Sequence, residues 1–443
     1  MKEHFLCIDK YVEQRRREAR NPSMVIALYD RQKTVRVSAY GVTDLGSQTP
    51  ITPQTLFEIG SISKTFGAVV ALQAYEAGLL DLYAPVTEYL PWFEVRSRYG
   101  PILIHHLLSH SSGLPYSADF APDALPIVWG LRHIETGFAP GTHYAYSEPG
   151  YQTLTLVLEK VCGKSYAEIV QQGILDPLEM SSTVAAITHD TRRCLPQGYR
   201  TLYDDRPSHS SHPLVPADWL EFSSADGSIA STAEDMARFG RMLLNRGRGP
   251  NGPILSADTL DLMMASKVEG SSYGYGLYVF EEDGCVHIGH SGDMPGYEAG
   301  MWMDLDSGLG EVLLSTQPYP MGVVWKVLDF WRAAGLGRSL SQVPPPVDPL
   351  SVDNAVDYAG VYRAGDKTLE FVADQDRLWV NLDGKKVAAE KRGDDSFYIN
   401  HPGFDLYLVQ FDRARDTEDD PGPVVELAYG PHWYVNERYA GPA

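Results

Sequence analysis

Residues 57–66 read Phe-Glu-Ile-Gly-Ser-Ile-Ser-Lys-Thr-Phe, and they decide the fold because a glycine joins a short apolar stretch to a helix. Helical periodicity continues as far as Gly78, a residue suited to the C-terminal end of a helix. Gly60 permits a tight entry that leaves Ser61 in the first helical turn, where backbone N–H groups are unpaired. Since residues three apart share a helical face, Ser61 and Lys64 are predicted to lie within hydrogen-bonding distance.

This Ser-x-x-Lys pair suits nucleophilic catalysis if the site is buried. Desolvation disfavours the ammonium form of Lys64, so that its amine can accept a proton. Ser61 then gains the neighbouring base that a serine nucleophile requires, and its N–H can join an oxyanion hole. The alternative is a helix-capping serine beside a solvated lysine, because both residue types are common.

Strand patterns lie on both sides of this helix. Apolar, β-prone runs occur near both ends of the first 340 residues, with mostly helical periodicity between them. Strands from both ends must therefore pair in one sheet that helices cover, which is an α+β fold in three layers. The predicted strands are Met24–Tyr29, Thr34–Gly41, Gly274–Phe280, Cys285–Gly289, Gly300–Leu305 and Glu311–Thr316. The predicted helices include residues 1–20, Gln152–Val161, Tyr166–Gln171, Thr232–Leu244 and Gly322–Ala334.

A proline-rich linker, residues 341–350, separates two domains of different character. Residues 1–340 form the α+β domain. Residues 351–443 contain short strand-like runs between Gly and Asp turns, which predict a small antiparallel barrel or sandwich. The runs are Tyr358–Tyr362, Leu369–Val372, Leu378–Leu382, Ser396–Ile399, Leu406–Phe411, Val424–Tyr429 and His432–Val435.

The composition excludes several classes of function. The chain has 443 residues, of which 44% are hydrophobic, and a formal net charge of -21, which argues against a nucleic-acid partner or an anionic membrane. No apolar run approaches the roughly 20 residues of a membrane span, and the charged N-terminus predicts a helix instead of a signal peptide. We therefore expect a cytoplasmic protein. The four cysteines form no CxxC pair or metal-spaced cluster, so no metal and no cofactor are expected. Nothing in the sequence indicates an oligomeric state.

Two later motifs add chemistry-bearing side chains. Residues 140–151 form a Gly/Pro-rich loop that can project the phenol of Tyr146 into a cleft before a helix. A neighbouring lysine would lower the pKa of that phenol and let it move protons to a leaving group. Residues 287–297 follow a strand pattern and carry His290, which can orient a substrate carboxyl group or the tyrosine. The alternative for each residue is a side chain that only packs.

The order of these motifs resembles that of the serine β-lactamase and penicillin-binding-protein superfamily. Ser-x-x-Lys near the start, Tyr-x-x in the middle and His-x-Gly on a late strand are similar to the branch of class C β-lactamases, D-aminopeptidases and family VIII carboxylesterases, the peptidase family S12 type. The resemblance runs from about Ile8 to Leu336. It includes flanking stretches at residues 55–60, 106–115, 176–180 and 227–236. In this branch the stretch with His106 and His110 is structural, which argues against a metal site there.

The resemblance implies a role for each motif residue. Ser61 is the nucleophile that forms the acyl-enzyme, and Lys64 is its base partner. Tyr146 is the general acid/base, and His290 is the third-motif residue. The oxyanion hole consists of the backbone N–H groups of Ser61 and Asp293. The motifs leave open whether the lysine or the tyrosine removes the serine proton.

Glu148 departs from the motif of the branch, which has asparagine at this position. The resemblance places Glu148, Ser291 and Gly292 at the substrate-binding surface. An ionised Glu148 only accepts hydrogen bonds, would pair with Lys64 and would raise the pKa of the lysine, whereas a protonated one can donate. Glu148 thus argues against typical β-lactam recognition, and it indicates either a substrate with an amine or amide donor or a degenerate pocket.

The C-terminal region, which begins with Tyr-Ala-Gly-Val-Tyr at residues 358–362, resembles the lipocalin-like barrel of some members of this branch. The resemblance implies a serine hydrolase or acyltransferase acting on a small ester or on a short peptide or amide, including D-amino-acid peptides. A second candidate is a penicillin-binding-protein-type thioesterase that cyclises a carrier-bound peptidyl thioester. A third is a non-catalytic binding protein that retains the fold.

Overall fold

The computed structural model describes residues 2–117, 122–203, 205–282, 284–316, 322–339, 343, 348–414 and 422–439. The chain forms two compact units. The first consists of Met1–Arg200 and Val215–Pro344, and the second consists of Thr201–Leu214 and Pro345–Ala443. Residues 201–214, which the sequence assigned to the first domain, therefore group with the second unit. Most of the predicted linker, residues 341–342 and 344–347, lies outside the described residues.

A six-stranded antiparallel sheet forms the centre of the first unit. Its strands come from both ends of the unit, as predicted, and the register places Ile26 opposite Leu313 and Ala299 opposite Leu314. In spatial order the strands are Thr34–Gly41, Ser23–Asp30, Leu309–Ser315, Tyr297–Asp304, Cys285–Met294 and Tyr278–Glu282. The strand predicted at Gly274–Phe280 begins only at Tyr278, because the glycine-rich residues before it form a turn region.

Helices cover both faces of this sheet. In strand Ser23–Asp30, successive side chains point to opposite faces, so its odd-numbered residues 25–29 and even-numbered residues 24–28 enter two different hydrophobic cores. The second core lies under the helices Lys2–Glu18 and Gly322–Gly335. A strand buried on both faces is apolar throughout, which explains its unbroken hydrophobic sequence. The three-layer α+β prediction is confirmed.

The larger core contains the helix that follows the opening motif. This helix, Ser63–Glu76, is buried at every residue from Ser63 to Leu72. Its Phe66 stacks on Phe239 of helix Ala233–Leu244, with ring centroids 3.8 Å apart. The remaining helices of this unit are Val86–Tyr89, Ile104–Leu108, Ala124–Gly130, Glu148–Cys162, Tyr166–Val170, His189–Arg192 and Ala257–Met264, with single tighter or wider turns at Gly60–Ile62, Leu131–His133 and Gln171–Leu175. Short strand pairs are Phe57–Glu58 with Ala230–Ser231, Tyr199–Thr201 with Leu214–Pro216 and Arg248–Gly249 with Gly252–Pro253.

The second unit contains a closed antiparallel barrel of eight strands. Each strand pairs with the next along the chain, and Tyr362 on the first strand lies opposite Asn436 on the last. The strands are Gly360–Ala364, Lys367–Asp374, Arg377–Leu382, Lys385–Lys391, Ser396–Ile399, Val409–Arg413, Val424–Tyr429 and His432–Asn436. The predicted strand at Tyr358–Tyr362 is preceded by a helical turn, Ala355–Tyr358.

The strand Lys385–Lys391 is absent from the sequence prediction. Four of its seven residues are charged, and its three apolar residues, Val387, Ala388 and Ala389, are consecutive, so no alternating pattern marks the strand. Ala389 is fully buried in the barrel core, so the interior needs a small side chain there. The predicted antiparallel barrel is otherwise confirmed. Within the described residues, no helix has the length and apolar character needed to cross a membrane.

Candidate active site

The turn Gly60–Ile62 presents Ser61 at the entry to helix Ser63–Glu76. Gly60 has φ +50, a left-handed conformation that favours glycine. A Cβ atom at this position would lie 2.6 Å from the backbone nitrogen of Asp293. Both the conformation and the close approach of the neighbouring strand therefore require glycine immediately before Ser61.

Lys64 lies directly below the serine and is fully buried. Its Nζ donates to Oγ of Ser61 at 3.0 Å and to the backbone oxygen of Asp226 at 2.7 Å. Burial lowers the pKa of Lys64, although the carboxylates of Asp226 and Glu148 oppose that shift. The neutral amine is therefore favoured relative to an exposed lysine, and through the same 3.0 Å contact it can accept the serine proton.

Tyr146 packs above this pair. Its hydroxyl group interacts with the side chain of Ser61, which acts to lower the pKa of the phenol, and Nζ of Lys64 lies 4.8 Å from the centroid of the Tyr146 ring. Burial holds the pKa of Tyr146 well above its usual range, and this effect is larger than the lowering effect of Ser61. The prediction of a lowered pKa is therefore wrong, because the desolvation of the phenolate outweighs any nearby positive charge. Tyr146 is a phenol that can donate a proton, and Lys64 is the better acceptor.

The third motif lies on strand Cys285–Met294, beside the turn that carries the serine. A Cβ atom at Gly292 would collide with the carbonyl oxygen of Ile59 and would lie 3.0 Å from the backbone nitrogen of Ser61. The backbones of Ser61, Gly292 and Asp293 are thus brought together. This juxtaposition suits the predicted oxyanion hole, which uses the N–H groups of Ser61 and Asp293.

His290 is buried, and both of its ring nitrogens already have partners. Its Nδ1 lies 2.5 Å from the carbonyl oxygen of Ser291, so Nδ1 carries the proton and donates. Its Nε2 lies 3.0 Å from the hydroxyl group of Tyr273 and accepts from it. Burial lowers the pKa of His290 to about 3, so the ring is neutral. The tyrosine that His290 meets by hydrogen bond is Tyr273, while the Tyr146 ring lies 6.4 Å away between centroids.

The segments that contribute to the site also carry three carboxylates, those of Glu148, Asp226 and Asp293. Glu148, the first residue of helix Glu148–Cys162, accepts a hydrogen bond from Oγ of Ser117 at 2.9 Å. Asp226 accepts from the side-chain amide of Gln152 at 3.1 Å. Partial desolvation raises the pKa of Asp293, and the charge of Glu148 adds to the effect. The ion pair that the sequence predicted between Glu148 and Lys64 is not among those formed by the described residues. The charge of Glu148 nevertheless acts to raise the pKa of Lys64.

Sequence reasoning missed Asp226, Gln152 and Tyr273. Lys64 and Asp226 are 162 residues apart in the sequence, so no local sequence pattern predicts their contact. His110, which the sequence marked as structural, is fully buried, and its Nδ1 accepts from the backbone N–H of Ser147. The His110 ring also packs against Tyr146, with centroids 4.2 Å apart, so it supports the position of that phenol.

One group of side chains in the described residues has the spacing of a metal site. Ligand atoms of Cys285, Asp304 and Asp306 lie within 4.8 Å of one another. Arg332 already occupies this group, because its guanidinium lies 2.7 Å from Asp304 and donates to the sulfur of Cys285 at 2.9 Å. The positive charge that a cation would bring is thus supplied by the chain itself.

An antiparallel sheet between helical layers, with a serine and a buried lysine at a helix entry, defines the class of serine β-lactamase-like proteins. The chain belongs to the β-lactamase family, whose sequence model matches residues 8–330. The resemblance inferred from the three motifs is confirmed.

Three known proteins illustrate the similarity. Penicillin-binding protein 4* of Bacillus subtilis is 25% identical over 378 residues, which cover 78% of this chain and 81% of that protein. The teichoic acid D-alanine hydrolase of Staphylococcus aureus is 31% identical over 177 residues, 39% of this chain and 44% of that protein. The octameric penicillin-binding protein homologue from Pyrococcus abyssi has the same fold, with a TM-score of 0.68 and 22% identity over 97% of this chain and 99% of that one.

Proposed function

We propose that this protein is a serine hydrolase that forms an acyl-enzyme on Ser61 and acts on a small ester or on a short peptide or amide. The observation that carries the proposal is the fully buried amine of Lys64, 3.0 Å from the Ser61 hydroxyl oxygen. A solvent-exposed lysine stays protonated, whereas a buried lysine beside a serine is suited to accept the proton of the serine hydroxyl group.

Acylation begins when Oγ of Ser61 attacks the substrate carbonyl carbon and its proton passes to the neutral amine of Lys64. The carbonyl oxygen becomes negative, and the N–H groups of Ser61 and Asp293 stabilise it. As the intermediate collapses, the bond to the leaving group breaks. Tyr146 donates its phenol proton to that group and regains one from the ammonium of Lys64.

Deacylation repeats these steps with water as the nucleophile. Lys64 accepts one proton of the attacking water, and the hydroxide adds to the acyl carbon. The bond between that carbon and Oγ of Ser61 then breaks, the proton passes from Lys64 to Oγ, and the carboxylic acid is released. The similarity to a protein named teichoic acid D-alanine hydrolase supports acyl groups as small as an amino acid for this chain.

Covalent labelling tests the proposal. A fluorophosphonate probe should attach to the wild-type protein, and Ser61→Ala should abolish the attachment, because only an activated serine reacts at an appreciable rate. The matched control is Ser181→Ala, which removes an exposed serine far along the chain from the motif and should label like the wild type. If neither a fluorophosphonate nor a penicillin probe labels the folded wild-type protein, the hydrolase proposal is wrong and a binding role becomes the better explanation.

A further inference from the structure

His110 has a backbone conformation that is unusual for its residue type. It follows the helix Ile104–Leu108 with φ +53, in the left-handed region. The N–H of Ser111 donates to the carbonyl oxygen of His106 at 2.9 Å and closes the end of that helix. Glycine is the residue that this place at a helix end favours, because a Cβ atom is strained there. The side chain of His110 therefore has to contribute something that glycine lacks.

Two hydrogen bonds connect His110 to the residues on either side of Tyr146. The carbonyl oxygen of His110 accepts from the N–H of Ala145 at 2.8 Å, and Nδ1 of its ring accepts from the N–H of Ser147 at 3.0 Å. The ring of His110 also lies against the ring of Tyr146, with centroids 4.2 Å apart. Because both of its neighbours are held by one residue, the direction in which the phenol leaves the backbone is fixed.

The bond to Ser147 determines the tautomer of His110. Because Nδ1 accepts from a backbone N–H, the proton of the neutral ring lies on Nε2, which is buried and has no hydrogen-bond partner within the described part of the chain. The ring packs among those of Tyr144, Tyr151 and Tyr273, with centroids 6.0, 5.1 and 4.9 Å away. Burial holds the pKa of His110 well below its usual range, so Nδ1 stays an acceptor at neutral pH.

The loop that carries Tyr146 is held again at its next residue but one. The N–H of Glu148 donates to the carbonyl oxygen of Tyr116 at 2.9 Å, and the carboxylate of Glu148 accepts from Oγ of Ser117 at 2.9 Å. The phenol thus projects from a loop that the segment 110–117 fixes on both sides of Tyr146.

We propose that His110 is a positioning residue that directs the phenol of Tyr146 at the leaving group and so determines how basic a leaving group the site can expel. This inference rests on the proposed hydrolase activity. As the bond between the carbonyl carbon and the leaving oxygen breaks, that oxygen takes the phenol proton, and Tyr146 regains a proton from Lys64. A basic leaving group needs this proton, whereas a weakly basic one departs without it. A loosened phenol therefore serves basic leaving groups poorly, since misplacement by about 1 Å is enough to slow catalysis.

A series of phenyl acetates tests the proposal. The p-nitro, p-chloro, unsubstituted and p-methoxy esters share one acyl group and differ in the basicity of the phenolate that leaves. Release of each phenol gives kcat/KM after correction for spontaneous hydrolysis. In the wild-type protein we expect kcat/KM to fall only slightly along the series, because Tyr146 protonates the leaving oxygen.

Two variants of His110 accept the left-handed backbone and differ in the acceptor. His110→Gly removes the acceptor, whereas His110→Asn keeps a side-chain oxygen near the place of Nδ1. His110→Gly should raise the ratio of the p-nitro to the p-methoxy rate by roughly tenfold, and His110→Asn should raise it by less than about threefold. The control is His133→Gly, at an exposed position in the turn Leu131–His133, which should leave the ratio at the wild-type value.

A double-mutant cycle separates positioning from general damage to the fold. Tyr146→Phe has no phenol to direct, so the addition of His110→Gly should leave the ratio within about twofold of that of Tyr146→Phe alone. A residue that only stabilises the fold would slow all the esters alike and leave the ratio unchanged. If His110→Gly does not fold, His110→Phe, which keeps a ring but has no acceptor, takes its place in the cycle.

The outcomes separate the two proposals. An unchanged ratio in the folded variant that lacks the acceptor, or a further change when it is combined with Tyr146→Phe, overturns the positioning role of His110 and leaves the hydrolase intact. Absence of turnover of every ester by the wild-type protein, together with absence of probe labelling, overturns the hydrolase proposal itself.

Discussion

Replacing Gly60 by alanine should separate the two backbones that form the proposed oxyanion hole. A Cβ atom at this position would lie 2.6 Å from the nitrogen of Asp293 and 2.7 Å from its carbonyl oxygen, whereas ordinary contact begins at 3.4 Å. The strand carrying Asp293 must therefore move by 0.8 Å relative to the turn that carries Ser61. Misplacement of reacting groups by about 1 Å reduces catalysis by about 100-fold, and loss of one oxyanion donor has a similar effect.

We therefore expect Gly60→Ala to lower kcat/KM for an activated ester by about 100-fold, or about 3 kcal/mol of transition-state stabilisation. The control is Gly78→Ala, just beyond the end of the same helix. Gly78 has φ +70, and a Cβ atom there would meet nothing within 4 Å. Both variants place alanine in the left-handed region, at a cost of about 1 to 2 kcal/mol, but only the one at Gly60 displaces the strand.

Thermal unfolding and ester hydrolysis, measured on the same preparations, separate stability from catalysis. The reasoning is refuted if Gly60→Ala is folded and keeps a kcat/KM within about threefold of that of Gly78→Ala. Such a result would mean that the strand can move without harm to the chemistry, and that the N–H of Asp293 does not stabilise the developing charge.

Three further predictions concern single side chains. Burial raises the pKa of Glu58 from 4.5 to about 7, so this carboxyl group ionises at a lower pH in the unfolded chain than in the folded one. The free energy of unfolding should therefore fall by about 3 kcal/mol as the pH rises from 4.5 to 7. Denaturant titrations at several pH values should find a flatter profile for Glu58→Gln. Phe66→Ala removes the buried ring stacked 3.8 Å from Phe239 and should lower the free energy of unfolding by about 3 to 5 kcal/mol, and an unchanged midpoint in urea would contradict this packing role. Tyr146→Phe should slow ester turnover by about 100-fold or more while probe labelling of Ser61 persists at a reduced rate, and wild-type turnover would exclude the phenol as proton donor.

Much of the fold could be predicted because its signals are local. In the strand Ser23–Asp30 both the odd-numbered and the even-numbered residues between the two ends are apolar, which a strand between two helical layers requires. Helix Ser63–Glu76 follows from periodicity and a glycine at each end. The strand Lys385–Lys391 could not be predicted in the same way, because four of its seven residues are charged and its three apolar residues are consecutive instead of alternating.

The candidate site divides along the same line. Ser61 and Lys64 are three residues apart, so their contact follows from helical geometry alone. The backbone oxygen of Asp226 that holds Lys64 is brought there only by the tertiary fold. The pKa of Tyr146 shows a further limit, because the sequence suggests its charged neighbours but not the depth of its burial, and burial dominates.

The membership of Thr201–Leu214 in the second unit has a consequence for the order of synthesis. His209 of this segment lies 2.8 Å from Glu390, a residue made 181 positions later. At ribosomal rates of about 5 to 20 residues per second, the segment emerges roughly 10 to 40 seconds before that partner exists. This segment of the second unit is therefore made long before the barrel strands of the same unit, and a protein truncated before the barrel would leave the segment without the strands that it contacts.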